Sequence, residues 1–194
     1  SSFDKPFKEA AGLCVLYGNL APRGAILKPS AASDHLLEHE GEAYVFESIE
    51  EMKDTINNDD LPVTKDSVLV LKGCGPKGYP GMAEVGNMPI PAKLVKEGVR
   101  DMVRVSDARM SGTAFGTVIL HVTPEAQEGG TLAFVKTGDR IRVSAEKGIL
   151  ELLVEQEEID KPHSIFEMVS GKLIPTASDC SQIGREAVED GDAP

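Results

Sequence analysis

Apolar residues along this chain come in short bursts separated by polar or glycine- and proline-bearing stretches. Runs at 13–17, 43–46, 68–71, 102–105, 117–122, 131–135, 140–144 and 149–154 have strand length and β-branched or leucine character. A further short apolar piece covers 25–27, between Pro22 and Pro29. The 68–71 run is unbroken, as expected of a strand buried on both faces. Ser48 followed by Glu51 forms a capping box, so a helix is expected to run to about Asn57, where polar residues end it. A second helix is expected over 89–97, with proline near its start and Gly98 past its end. Thr137-Gly138-Asp139 reads as a hairpin turn between the strands at 131–135 and 140–144. The pattern predicts a β-rich α/β domain of about eight short strands with two or three helices.

Two loops stand out, each following an apolar strand. Residues 73–81 hold four Gly and two Pro in nine positions, and 106–116 is rich in small residues. A binding or catalytic site is expected there, because rigid strands position exposed loop residues. Gly73 and Gly78 match the first half of a phosphate-binding loop. However, Tyr79 and Pro80 occupy the places of the required Lys and Ser/Thr, and Pro76 removes a backbone donor. A tight connection needing positive φ accounts for the loop better. Glu84 presents a carboxylate at the end of a glycine-lined concavity, a fair ligand for a hard cation. Ser111, beside Gly112, is a candidate base or nucleophile only if a cation or helix terminus assists it, since a free hydroxyl is far too weak an acid. On spacing alone Ser111 could equally be a turn residue.

His35-Leu36-Leu37-Glu38-His39 matches an H-x-x-E-H zinc pattern in which the two histidines would share a helix face. The segment is short and offers no evident third ligand, so a solvated or satisfied pair is the expected reading.

Composition narrows the function classes. The 194 residues carry 20 Lys plus Arg against 32 Asp plus Glu, a net charge of −12. That argues against nucleic acid and against an anionic membrane surface as partners. The unbroken apolar runs fall far short of the ~20 residues of a membrane helix, and charges appear at once in residues 1–8, so no secretory signal is expected at this start. Opening on Ser1 rather than Met suggests a processed or excised piece. Cys14, Cys74 and Cys180 are too scattered for a disulfide framework, a zinc knuckle or an iron–sulfur ligand run. A cytoplasmic setting with reduced thiols is the expectation. Residues 156–194 lose the apolar pattern and are expected to form a partly flexible extension to a domain at 1–155.

Four motifs in register carry a resemblance. They are Gly18-Asn19-Leu20-Ala21-Pro22-Arg23-Gly24-Ala25 with Lys28-Pro29; Gly75-Pro76-Lys77-Gly78-Tyr79-Pro80-Gly81-Met82-Ala83-Glu84; Ser106-Asp107-Ala108-Arg109-Met110-Ser111-Gly112-Thr113; and His121-Val122-Thr123-Pro124-Glu125-Ala126. Together they resemble the C-terminal domain of the dihydroxy-acid dehydratase and phosphogluconate dehydratase family. Met82 to Pro89 and Asp107-Ala108-Arg109-Met110 resemble the sugar-acid (arabinonate, xylonate or pentonate) branch.

The resemblance implies a swivelling β/β/α domain, barrel-like, that closes over a larger N-terminal domain. That partner domain would hold the iron–sulfur cluster and most Mg²⁺ ligands. Glu84 would be the Mg²⁺ ligand contributed here, Ser111 the base that removes the C2 proton of a 2,3-dihydroxy carboxylate, and Thr113 a substrate-binding hydroxyl. The product would be a 2-keto acid. Asp107 and Arg109 would shape the loop, as an ion pair or with Arg109 turned to substrate. Dimers or tetramers of the full-length protein are implied, and the isolated chain is expected to be inactive. Two other readings stay open on the sequence: a non-catalytic module that binds a ligand or partner, and a zinc hydrolase built on His35 and His39.

Overall fold

The computed structural model describes residues 12–82, 84 and 88–154; Cys180 and the expected 156–194 extension lie outside them, as does the boundary proposed for the extension. Eight strands are present: β1 Cys14–Gly18, β2 Ala21–Leu27, β3 Glu38–Phe46, β4 Val68–Leu71, β5 Arg104–Ser106, β6 Val118–Thr123, β7 Arg140–Ser144 and β8 Ile149–Leu152. They close into a barrel in the order β1-β2-β6-β5-β4-β3-β7-β8. Strands β3, β4, β5 and β6 are mutually parallel neighbours, and the others pair antiparallel except where β8 returns to β1.

Alternation explains why β4 reads as a continuous apolar run. Val68 and Val70 join the cluster that fills the barrel, with Leu16, Leu27, Val45, Val105, Ile119 and Leu150. Leu69 and Leu71 face the other way, into a second cluster with Phe46, Met52, Leu94 and Met102. That second layer is covered by the two helices, α1 Ile49–Thr55 and α2 Ala92–Lys96. All four β4 side chains are therefore buried, two in each layer. Among the described residues no helix is long and apolar enough to cross a membrane.

Helix α1 starts where the capping box places it. The Ser48 hydroxyl accepts the Glu51 N–H at 3.1 Å, and the Glu51 carboxylate takes the Glu47 N–H at 2.8 Å, one residue earlier than the reciprocal bond usually falls. Helix α2 begins at Ala92 rather than 89. Pro89 and Pro91 push the residues before them out of the α region, so the helix cannot form until both are passed.

The expected strand at 131–135 is instead a single 3₁₀ turn, Thr131–Phe134, opened by the Ala133 N–H to Gly130 O bond. In a closed barrel every strand already has two neighbours, which leaves no edge for another. The apolar residues serve the core all the same, since Leu132 and Val135 are fully buried with the barrel cluster. Thr137-Gly138-Asp139 is consequently a turn into β7 and not a hairpin; the hairpin turn lies at 145–148, between β7 and β8.

Candidate active-site rim

Parallel strands end on the same side, so the segments after β4, β5 and β6 share one rim of the barrel. These segments are 72–82, 107–117 and 124–130. They are connections out of parallel strands rather than hairpin ends, which is why residues distant in sequence meet there.

Two buried carboxylates stitch the three segments together. Asp107 accepts the N–H of Cys74 at 2.8 Å and that of Ala126 at 2.9 Å, so one side chain ties all three. Burial, with the neighbouring Glu125 charge, raises its pKa above the ordinary aspartate value, against the pull of those amides. Glu125 accepts from Lys77 N at 2.8 and 3.1 Å and from Gly78 N at 3.3 Å. The amides of the glycine-rich loop are thus already occupied by an internal carboxylate, which accounts for its resemblance to a phosphate cradle without phosphate chemistry. Gly75 is required by this arrangement, because a Cβ there would lie 2.0 Å from Glu125 Oε2.

The base of the Ser111 loop is held by a buried ion pair. Asp101 Oδ1 accepts from Arg104 Nη2 and from the Met102 and Thr117 amides, each at 2.9 Å. Its Oδ2 accepts the Thr117 hydroxyl at 2.7 Å and the Ser33 N–H at 3.1 Å. Arg104 also donates to Met88 O at 2.9 Å and Phe115 O at 3.2 Å. Burial opposes ionisation of Asp101, but the Thr117 and Ser33 donors outweigh it and hold the carboxyl below its usual range.

Ser111, half-buried, and the exposed Thr113 come out on this rim together. Ser111 Oγ accepts the Thr113 N–H at 3.2 Å and lies 2.9 Å from Thr113 Oγ1. Lys28 Nζ donates to Gly112 O at 3.2 Å, bringing a cation to the same loop. Glu84 is exposed, and Arg109 Nη2 lies 3.4 Å from its Oε2. Arg109 Nε donates to Met82 O at 2.9 Å. Arg109, two residues from Ser111, therefore bridges the Ser111 and Glu84 segments. The expected Asp107–Arg109 pair does not form: Asp107 turns inward to backbone amides and Arg109 outward to Glu84. Both residues shape the loop, each with a different partner.

A long, solvated Glu84–Arg109 pair contributes at most about 1 kcal/mol, so the carboxylate can exchange Arg109 for a stronger cation. Glu84 fits one position in the shell of a hard divalent ion. Among the described residues, no group of three His, Cys, Asp or Glu side chains could hold a metal on its own. Cys14 and Cys74, the cysteines among the described residues, do not fit an iron–sulfur cluster. Cys74 is 1% exposed, with its thiol pushed up to about 12 by burial and the Asp107 charge, and Cys14 is also raised by burial.

The histidine pair of the H-x-x-E-H pattern shares no helix face. His35 sits in the 3₁₀ turn Asp34–Leu36 and His39 in β3, where its Nε2 lies 2.9 Å from Asp66 O. Glu38, between them, accepts the Ser144 hydroxyl at 2.8 Å. His35 and His39 thus lie in different elements, and among the described residues no group of three such side chains could hold zinc. Sequence reasoning assigned no role to His121 or Glu125, although both stand in the fourth motif. The signal was their polarity: His121 interrupts the 117–122 apolar run, and Glu125 stands three residues past its end.

The rim motifs have counterparts in known proteins. A family model described as the C-terminal part of dihydroxy-acid/6-phosphogluconate dehydratase matches residues 1–190. L-arabonate dehydratase of Azospirillum brasilense is 58% identical over 158 residues, covering 81% of this chain and 27% of that protein. L-arabinonate dehydratase of Rhizobium leguminosarum bv. trifolii (strain WSM2304) is 56% identical over 156 residues, 80% of this chain and 27% of that protein. Dihydroxy-acid dehydratase of Carboxydothermus hydrogenoformans is 37% identical over 171 residues, 88% of this chain and 30% of that protein. This chain spans less than a third of the length of these relatives. Its greater identity to sugar-acid dehydratases agrees with the wording of the second and third motifs.

Proposed function

The chain belongs to the dihydroxy-acid/6-phosphogluconate dehydratase family as its C-terminal part, and from that premise we propose that it is the domain supplying the serine base of a sugar-acid hydro-lyase. The substrate class is a 2,3-dihydroxy carboxylate of aldonic type, and the product a 2-keto acid. The partner is a larger N-terminal domain of the same polypeptide, which brings the remaining metal ligands.

One observation supports this most directly. Ser111 Oγ stands on an exposed rim with the Thr113 amide donating to it and the Thr113 hydroxyl 2.9 Å away. Donors aimed at an oxygen favour its anionic form, which a base needs. Ser111 takes the C2 proton, the C2–H electrons form the C2=C3 bond, and the C3–O bond breaks with its electron pair on oxygen. The proton held by Ser111 passes to the departing hydroxide, giving water and restoring the base. The enol then becomes the ketone. The Thr113 amide holds the Ser111 oxygen, and the Thr113 hydroxyl can accept from a substrate hydroxyl. Glu84 provides one carboxylate oxygen for Mg²⁺, and a bound Mg²⁺ supplies the positive charge that opposes the negative charge developing on the substrate. Arg109 and Lys28 bring positive charge to the Ser111 loop, where it can meet the substrate carboxylate. Cys14 and Cys74 do not fit an iron–sulfur cluster.

The test uses the full-length enzyme containing this chain and an aldonic acid such as L-arabonate. Ser111→Ala is expected to lower kcat by at least about 10³-fold with metal content and fold unchanged. Turnover within about tenfold of the parent would remove Ser111 from the role of base.

A further inference from the structure

His121 is an anomaly in β6. Its φ is +55°, in the left-handed region, the only such non-glycine inside a described strand. A non-glycine residue is strained there and persists only where surrounding contacts hold it. The pairing with β2 shows the cause. Ile26 lies opposite Leu120 and Gly24 opposite Thr123, so β6 has one residue more than β2 over the same stretch. This is a β-bulge, a device that re-aims a side chain. At the bulge, His121 turns from β2 to the Ser111 loop. Its N–H donates to Ala108 O at 2.9 Å, and its Nε2 faces the Met110 N–H at 2.9 Å. The two bonds bracket Arg109, and Ser111 is the next residue in the chain.

We propose that His121 is the positioning residue of this rim: its unprotonated Nε2 accepts the Met110 N–H and so fixes the orientation of the Ser111 hydroxyl and the Arg109 guanidinium. A backbone amide can only donate, so Nε2 must carry a lone pair and the ring proton must sit on Nδ1. A second proton would set donor against donor and release Met110. Burial and the charge of Arg109, the charged group facing the ring, keep the imidazole pKa below its usual value, so the accepting form is the one present at neutral pH. The catalytic consequence rests on the reading of Ser111 as a base; the clamp itself does not.

The two parts separate experimentally. In the 194-residue chain at neutral pH, long-range ¹H–¹⁵N spectra of the histidine rings are expected to show His121 protonated on Nδ1 and bare on Nε2. The Met110 amide should exchange at least about tenfold faster in His121→Phe than in the parent. In the full-length enzyme, His121→Phe is expected to lower kcat by about 10- to 100-fold, with KM changed less than about threefold. His121→Gln, whose carboxamide oxygen reaches the Nε2 position, should recover most of that loss and restore slow Met110 exchange. An Nε2-protonated ring, or a Met110 amide that exchanges equally in all three proteins, would overturn the clamp. Slow kcat in the Gln variant equal to that of Phe would overturn its catalytic part. Should the parent enzyme lack dehydratase activity, the functional reading fails, and the tautomer and exchange measurements decide the clamp by themselves.

Discussion

Replacing Asp101 by Ala removes the acceptor for the Arg104 guanidinium, the Met102, Thr117 and Ser33 amides and the Thr117 hydroxyl in one step. Arg104, whose side chain is 6% exposed, would keep its bonds to the Met88 and Phe115 carbonyls but lose the Asp101 carboxylate. Breaking a buried ion pair by removing one partner costs about 3–5 kcal/mol. For a domain of this size each kcal/mol lowers Tm by roughly 2–4 °C, so the expected drop is about 6–20 °C. Calorimetry or circular-dichroism melts of the parent, Asp101→Ala and the double variant Asp101→Leu/Arg104→Met would measure it. The double variant replaces both charges with apolar groups and should lose less than Asp101→Ala, because nothing charged is then stranded. A single variant destabilised by under about 1 kcal/mol, or a double variant worse than the single, would refute the view that this pair is the anchor of the Ser111 loop.

Two further outcomes follow from the rim geometry. Gly75→Ala brings a Cβ to 2.0 Å from Glu125 Oε2, so the carboxylate must leave the Lys77 and Gly78 amides; a loss of about 1–3 kcal/mol in urea unfolding is expected, and an unchanged midpoint would show that the loop yields freely. Cys74, buried and with its thiol near 12, should resist iodoacetamide under native conditions until the chain unfolds, whereas Cys14 should react first; peptide mapping that finds Cys74 labelled at its denatured rate would contradict the burial.

Local pattern located most strands because a strand that borders two layers must be apolar on successive residues, as at Val68–Leu71. The capping box at Ser48 and Glu51 was equally legible, since its hydrogen bonds lie within four residues. The segment 131–135 was misread for a complementary reason. Leucine and valine there are demanded by burial, and burial alone does not say whether a strand neighbour exists. Barrel closure decided that, through pairings between residues far apart in the chain.

The candidate site divides along the same line. Ser111 and Glu84 stood out as candidate chemistry and Thr113 through the resemblance, and their motifs carried the family. What they touch was not. Asp107 spans 33 residues to Cys74, Glu125 spans 48 to Lys77, and Arg109 spans 25 to Glu84. Residue types thus set which groups could donate, accept or ionise, because those properties belong to each side chain alone. The parallel order of β4, β5 and β6 decided which of them meet on one rim, and the bulge in β6 decided that His121 faces Met110. Such contacts depend on register and closure, which exist only once distant segments pair.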